Sequence, residues 1–263
     1  MATPFPETMP AAMPSDGRNR AIAPGTARPA RRRRGRAWRR LARCTLVIGA
    51  LAIIVGPGAP AARATEDSVE PLTQTALALT ADPVHGHAQF ARYCARCHGA
   101  SGRGDVNRRI PVLANQRFAY LVRQLASLSE EARDSANMHH ALSATVAHDP
   151  QTWADVAAYL STARAPSHTQ AGDGRHVALG EATYRILCAS CHHDDAWGDD
   201  DGFVPSLRNQ NYAYLLSQMG RIPALHRRGI DENFAALIRS LKPDEAAGLA
   251  DYLSRQRGPT PRQ

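Results

Sequence analysis

Two short stretches of this chain carry thiols and imidazoles at a spacing that does specific chemistry: Cys94-Ala95-Arg96-Cys97-His98 and Cys188-Ala189-Ser190-Cys191-His192. Residues three and four apart share one face of a helix. Each stretch therefore turns two thiols and one imidazole to the same side. In the C-x-x-C-H pattern, the two cysteines take up the vinyl groups of one porphyrin and the histidine faces its iron. A C-x-x-C pair can also be a redox dithiol or half of a zinc site. Neither explains a histidine directly after both copies. The motifs predict two covalently bound haem c groups, each with its iron. Cys94, Cys97 and His98 would hold one, and Cys188, Cys191 and His192 the other.

The elements that must position these residues are duplicated as well. An offset of 94 residues brings the motifs into register and sets Gly86 on Gly180, Phe90 on Tyr184 and Gly104 on Gly198. The same offset lays residues 110–121 on 204–215, both carrying Pro-x-Leu-x-x-Gln. Near the end the offset becomes 93, pairing Pro150 with Pro243 and Tyr159 with Tyr252. This is a tandem repeat. It divides the chain into a leader (1–64), a first domain (65–165), a linker of Pro, Ser, Gly and polar residues (166–174) and a second domain (175–263). Asp82-Pro83 reads as the cap and first position of a helix running through Phe90 into the first motif. Residues 118–125 and 212–219 read as second helices. Last helices open at Asp149-Pro150 and at Leu241-Lys242-Pro243. Val156, Tyr159 and Leu160 form the apolar stripe of one, and Leu249, Tyr252 and Leu253 that of the other. With no alternating strand pattern, the fold class is all-α.

Composition supports small domains in need of a staple. Aromatic residues make up 6% of the chain and hydrophobic ones 43%. Domains of about 90 residues have thin cores, which a large apolar cofactor thickens. The formal charge of +8 belongs to the leader, where twelve arginines face only Glu7 and Asp16. Removing these from 32 Lys+Arg and 24 Asp+Glu leaves 20 against 22, a net −2 that argues against nucleic acid as a partner. The leader ends in an arginine-rich stretch, an 11-residue apolar run (45–55) and Ala62-Arg63-Ala64. That order is a secretory signal with cleavage after Ala64. The run is short of the roughly 20 residues of a membrane span, so membrane association follows only if the leader stays uncut. Cys44 falls inside the leader and has no role after cleavage.

On these residues each repeat resembles a class I cytochrome c domain, and the tandem pair resembles the diheme cytochrome c4 family. The resemblance covers about residues 77–255 and rests on the two C-x-x-C-H motifs, the Pro-x-Leu-x-x-Gln segments and the Ala-Tyr-Leu and Asp-Tyr-Leu closing helices. It implies that first and last helices cross at a glycine and an aromatic, here Gly86 with Phe90 and Gly180 with Tyr184, facing Tyr159 and Tyr252. It also implies that Pro111 and Pro205 offer carbonyls to the ring N–H of the iron-ligating histidines, a contact that fixes the ring.

The family's sixth iron ligand is a methionine before the last helix. Met138 holds that place in the first repeat, beside the rival ligands His139 and His140. In the second repeat the corresponding Asp231-Glu232-Asn233-Phe234 has no methionine. Met219, which aligns with Leu125, is one candidate there. His226 is another, and an open iron is the third possibility. A His/Met pair closes the iron and suits electron transfer. The expected function is a periplasmic carrier passing electrons from a dehydrogenase or bc1-type donor to a terminal oxidase or reductase. The rival expectation is a redox enzyme with a reactive second haem, a peroxidase or an oxidant of sulfur compounds. The acidic run Asp194-Asp195 with Asp199-Asp200-Asp201 reads as a solvated loop, or as a patch that steers a basic redox partner. No other catalytic arrangement of nucleophile, base and acid is apparent.

Overall fold

In a computed structural model of the chain, the described residues are 64–133, 135–143, 148–224 and 230–258. All fall within one compact unit, Val55–Gln263. The leader up to residue 63 and His226 lie outside the described residues.

The first repeat opens with a helix that sequence reading did not anticipate, α1 (Ala64–Leu77). Its Val69, Thr73 and Ala76 are buried. It packs on α4 (Phe118–Ser129) and α6 (Pro150–Thr162). Between them come α2 (Pro83–Tyr93), the short α3 (Ala95–His98) and α5 (Ala136–Ser143). The second repeat runs α7 (Val177–Leu187), α8 (Ala189–His192), α9 (Tyr212–Arg221), α10 (Glu232–Ser240) and α11 (Pro243–Arg255). Two isolated bridges sit at equivalent places in the repeats, Asp105 with Ile110 and Asp199 with Val204.

The helix starts follow the chemistry of their caps. The Asp82 carboxylate accepts the N–H groups of Val84 and His85, with Pro83 at the first helical position. At α6 the Asp149 carboxylate accepts the Gln151 N–H and the Thr152 hydroxyl, with Pro150 at the first helical position. The side-chain oxygens stand in for carbonyls that the first turn lacks, and proline has no N–H to strand there.

In each repeat the first and last helices cross, α2 on α6 and α7 on α11. A Cβ on Gly86 would lie 1.9 Å from the Asp155 carbonyl oxygen, and one on Gly180 would lie 1.9 Å from that of Gly248. Only glycine permits this approach. One turn further on, rings seal the crossing. Phe90 lies 5.6 Å from Tyr159 and Tyr184 lies 5.5 Å from Tyr252, centroid to centroid. Each pair is tilted, as aromatic quadrupoles prefer.

A buried carboxylate on each last helix ties down the chain that leads into the repeat. Asp155 accepts the Asp82 N–H at 2.8 Å and lies 2.6 Å from His85 Nδ1. Asp251 accepts the N–H groups of Gly172 and Gly174 at 2.9 and 2.7 Å and pairs with Arg255. The linker is therefore fastened to the second repeat, and Tyr212 N–H donates to the Gln170 carbonyl in the same seam.

Candidate functional site

Each C-x-x-C-H stretch occupies the junction of two helices. Cys94 caps the end of α2 and the start of α3, and its carbonyl accepts the N–H groups of Cys97 at 3.1 Å and His98 at 3.0 Å. Cys188 repeats the arrangement with Cys191 at 3.2 Å and His192 at 3.0 Å. One helical turn thus gathers both thiols and the imidazole. Cys94 and Cys188 are half-buried, Cys97 and Cys191 exposed, and all four thiols are free. Burial, reinforced by the neighbouring cysteine, pushes the Cys94 and Cys188 thiols up to about 11.

His98 and His192 are buried. After each, the chain loops back: Gly104 N–H donates to the His98 carbonyl and Gly198 N–H to that of His192. The isolated bridges then turn the chain so that a proline carbonyl arrives at the ring. His98 Nδ1 lies 3.4 Å from the Pro111 oxygen, and His192 Nδ1 lies 3.1 Å from that of Pro205. A carbonyl only accepts, so Nδ1 carries the proton and Nε2 keeps its lone pair for a metal. Burial lowers the pKa of both rings, and the proline contacts offset this only in part, so the imidazoles are neutral.

Beside Cys94 a cleft is lined mainly by apolar side chains, among them Tyr93, Leu125, Leu142, Trp153 and Val156. Leu125 aligns with Met219, which packs against the same cluster as Cys188 and Ala189. Met219 also touches the neighbouring cluster of Ile222, Ala235 and Ile238. Met138 is half-buried on α5. Residues 232–234 of the second repeat likewise lie in a helix, α10, whose first turn the Asp231 carboxylate caps. Of the rival ligands, His139 lies 2.5 Å from the Arg133 carbonyl through Nε2, and His140 is exposed.

These residues fit a covalently held haem. Unpaired thiols, a neutral imidazole with a bare Nε2 and an apolar cleft converge in the first repeat, and the same thiol-imidazole turn recurs in the second. The Nε of Arg117, buried at the seam between the repeats with no acceptor among the described residues, suits an acidic group. Among the described residues no three His, Cys, Asp or Glu side chains converge as a closed metal-ion cage requires.

The seam is the part of the site that sequence reading missed. Gln116 reaches across it, its Oε1 accepting the Ser206 N–H at 2.7 Å and its Nε2 donating to the Ser206 carbonyl at 2.9 Å. Gln210, its counterpart, holds Val112 in the same two-point way, at 3.0 Å each. The signal lay in the Gln of the repeated Pro-x-Leu-x-x-Gln, whose use required the two copies to face each other. The acidic run is also tied in. Asp200 pairs with Arg117 and accepts the Ala119 N–H at the start of α4, and Asp195 pairs with Arg208. The Trp197 ring lies within cation–π reach of both arginines, 5.1 Å from Arg117 and 4.9 Å from Arg208.

Comparison with known proteins agrees with this geometry. Residues 84–164 match the Cytochrome c family. A cytochrome c-552 of Acidithiobacillus ferridurans is 27% identical over 135 residues, which cover 48% of this chain and 58% of that protein, less than two thirds of its length. The reduced recombinant cytochrome c4 from Pseudomonas stutzeri superposes with a TM-score of 0.60 at 23% identity, over 68% of this chain and all of that one. The cytochrome c4 of Acidithiobacillus ferrooxidans does so with 0.53 at 22% identity, over 62% and 98%. Thiosulfate dehydrogenase from Marichromatium purpuratum gives 0.57 at 24% identity, over 66% of this chain and 40% of that one. At these identities the three structures speak to the fold. The family match makes residues 84–164, within the first repeat, similar to Cytochrome c domains, and the chain shares the two-domain fold of the cytochrome c4 structures.

Proposed function

We propose that the chain carries two haems, one per repeat, and shuttles electrons between redox proteins outside the cytoplasmic membrane. The observation that carries this reading is the second thiol-imidazole turn, Cys188 to His192, built like the first and backed by its own proline carbonyl. The haem supplies reversible one-electron chemistry when bound. The chain's own residues do the rest. Pro111 and Pro205 hold the ring protons of His98 and His192 on Nδ1, which orients each ring and keeps Nε2 available. The apolar walls exclude water, and the seam keeps the two repeats in one compact unit. Exposed Cys97 and Cys191 mark where each motif meets solvent, and hence a face open to electron exchange with a donor dehydrogenase or bc1-type complex and an oxidase or reductase. The leader directs export to the periplasm, with membrane association if it remains uncut. No described helix is long and apolar enough to cross a membrane.

Met138 is the sixth ligand we assign to the first repeat, since the adjacent His139 is engaged by the Arg133 carbonyl. Met219 is the one we assign to the second, from its place on the cluster that holds Cys188. A second reading, a redox enzyme with a reactive second haem, is favoured by the missing methionine at 231–234. The neighbour that is a thiosulfate dehydrogenase supports it through the fold alone.

Mass spectrometry of the purified protein is expected to show two haems. The oxidised spectrum is expected to be low-spin at both, with no response to carbon monoxide after reduction. Met219→Leu should turn the second haem high-spin and reactive to carbon monoxide. A native second haem already in that state supports the enzyme reading, and a protein with one haem or none overturns the diheme carrier.

A further inference from the structure

The peptide that links Pro205 to Ser206 has two hydrogen bonds at its two ends, and they lead into different repeats. Its carbonyl faces His192 Nδ1 at 3.1 Å, while its N–H donates at 2.7 Å to Oε1 of Gln116. The peptide that links Pro111 to Val112 mirrors this, between His98 Nδ1 at 3.4 Å and Oε1 of Gln210 at 3.0 Å. Each metal-facing imidazole is thus one peptide group away from a glutamine of the opposite repeat. Both seam contacts are buried or nearly so, and each glutamine grips the next carbonyl as well, so neither can swing aside without losing two bonds. Serial hydrogen bonds polarise one another in a low-dielectric interior. An amide whose N–H is engaged has a more negative carbonyl oxygen, which draws harder on the ring proton and makes the imidazole a stronger electron donor through Nε2. Hydrogen bonding to an iron-ligating histidine is one of the protein's levers on haem potential.

Resting on the reading that His98 and His192 each ligate a haem iron, we propose that Gln116 and Gln210 are crossed positioning residues. Gln116 sets the hydrogen bond of His192, and Gln210 sets that of His98, so the electron affinity of each haem is held from the other repeat. The crossing is what separates this role from mere glue. A glutamine that only holds the repeats together has no reason to act on one haem, least of all on the distant repeat's.

The test is the two midpoint potentials of the holoprotein, each assigned to its repeat by NMR, in Gln116→Met and Gln210→Met. Gln116→Met is expected to raise the potential of the haem on His192, shift the His192 Nδ1–H resonance and leave the first repeat's values in place. Gln210→Met is expected to do the same to His98 and spare the second repeat. Arg123→Leu, which removes a seam contact to Phe203 without touching either proline peptide, should lower the thermal midpoint and move neither potential. Shifts in the substituted residue's own repeat, equal shifts at both, or none at all overturn the proposal. Should a variant fail to fold, hydrogen exchange in the unaltered protein decides, since the Val112 and Ser206 amides must be strongly protected and rapid exchange at either overturns it. A haem count by mass on the same samples separates the two failures. Fewer than two haems defeats the diheme reading, whereas two haems without crossed shifts defeats only this one.

Discussion

The two repeats share a plan but not a core. In the first, one cluster joins Val69 and Ala76 of α1 to Phe90, Val122, Trp153, Val156 and Leu160. In the second, a smaller cluster around Tyr184, Leu249 and Leu253 is separate from one of Ile222, Ala235 and Ile238, and Met219 and Leu241 pack against both. The cause is visible in single residues. Trp153, fully buried, stands where the second repeat has Ala246, and α1 has no counterpart before α7. The thiol-imidazole turns, by contrast, share the bonds from the second cysteine and the histidine back to the first cysteine's carbonyl, and the proline carbonyl at the ring. The repeats kept the two thiols, the imidazole and its proline carbonyl, while the packing and the methionine position diverged.

The contrast can be broken or sharpened by substitution, and the largest effect is expected at Trp153. Trp153→Ala empties the centre of the first core and should cost about 3–5 kcal/mol. Denaturant unfolding followed by NMR of each repeat should show the first losing protection while the second keeps its own; equal loss in both would mean the cores are not independent.

The buried carboxylates come next. At the offset of 93, Asp155 falls opposite Gly248, and Asp251 falls opposite Ala158, so the two do one job from different positions. The reason is steric. A Cβ at 248 would lie 2.4 Å from the His176 carbonyl oxygen, which leaves no room for a side chain and moves the carboxylate one turn along α11. Asp155→Asn should cost about 1.5–3 kcal/mol, the range for hydrogen bonds to a charged group. The pH dependence has a definite sign. Burial acts to raise the pKa of Asp155, but the amide of Asp82 and the side chains of His85 and Gln151 outweigh it and hold it below the usual carboxylate range. Asp251 is lowered in the same way, by Arg255 and the amides of Gly174 and Gly172 against burial. Both therefore stabilise the fold above the unfolded carboxylate pKa of about 3.9, and the gain is lost as pH falls through the lower folded values. Unfolding followed between pH 5 and 2 should show that loss, with a smaller slope in Asp155→Asn.

Smallest, and opposite in sign, is His193. Gly99 follows the first motif at φ 77°, a conformation open to glycine, and His193 follows the second at φ 62° and ψ 164°. Side chains other than hydrogen pay about 1–3 kcal/mol in that region. The Tyr184 hydroxyl, which donates to the His193 carbonyl at 2.5 Å, helps hold it there. His193→Gly should stabilise the second repeat by about 1 kcal/mol net of the extra chain entropy glycine releases on unfolding, raising the thermal midpoint. A fall would show that the exposed ring has a stabilising partner.

The thiol-imidazole turns, the caps at Asp82 and Asp149 and the all-helical class were open to reading from the chain because each depends on residues within one or two helical turns, or on a repeat that announces itself; the glycine-aromatic crossings, which join residues about 70 positions apart, were expected from the family resemblance alone. Local spacing decides whether two thiols and an imidazole share a face, whatever else the chain does. Only the tertiary structure decided that α1 exists as part of the first core, that Asp200 caps a helix in the other repeat, and that the paired glutamines grip each other's proline peptides. Those contacts join residues 80 to 100 positions apart. A polar side chain looks the same in sequence whether it meets water or a distant backbone amide. What distinguishes the two is burial, and burial is a property of the packed fold.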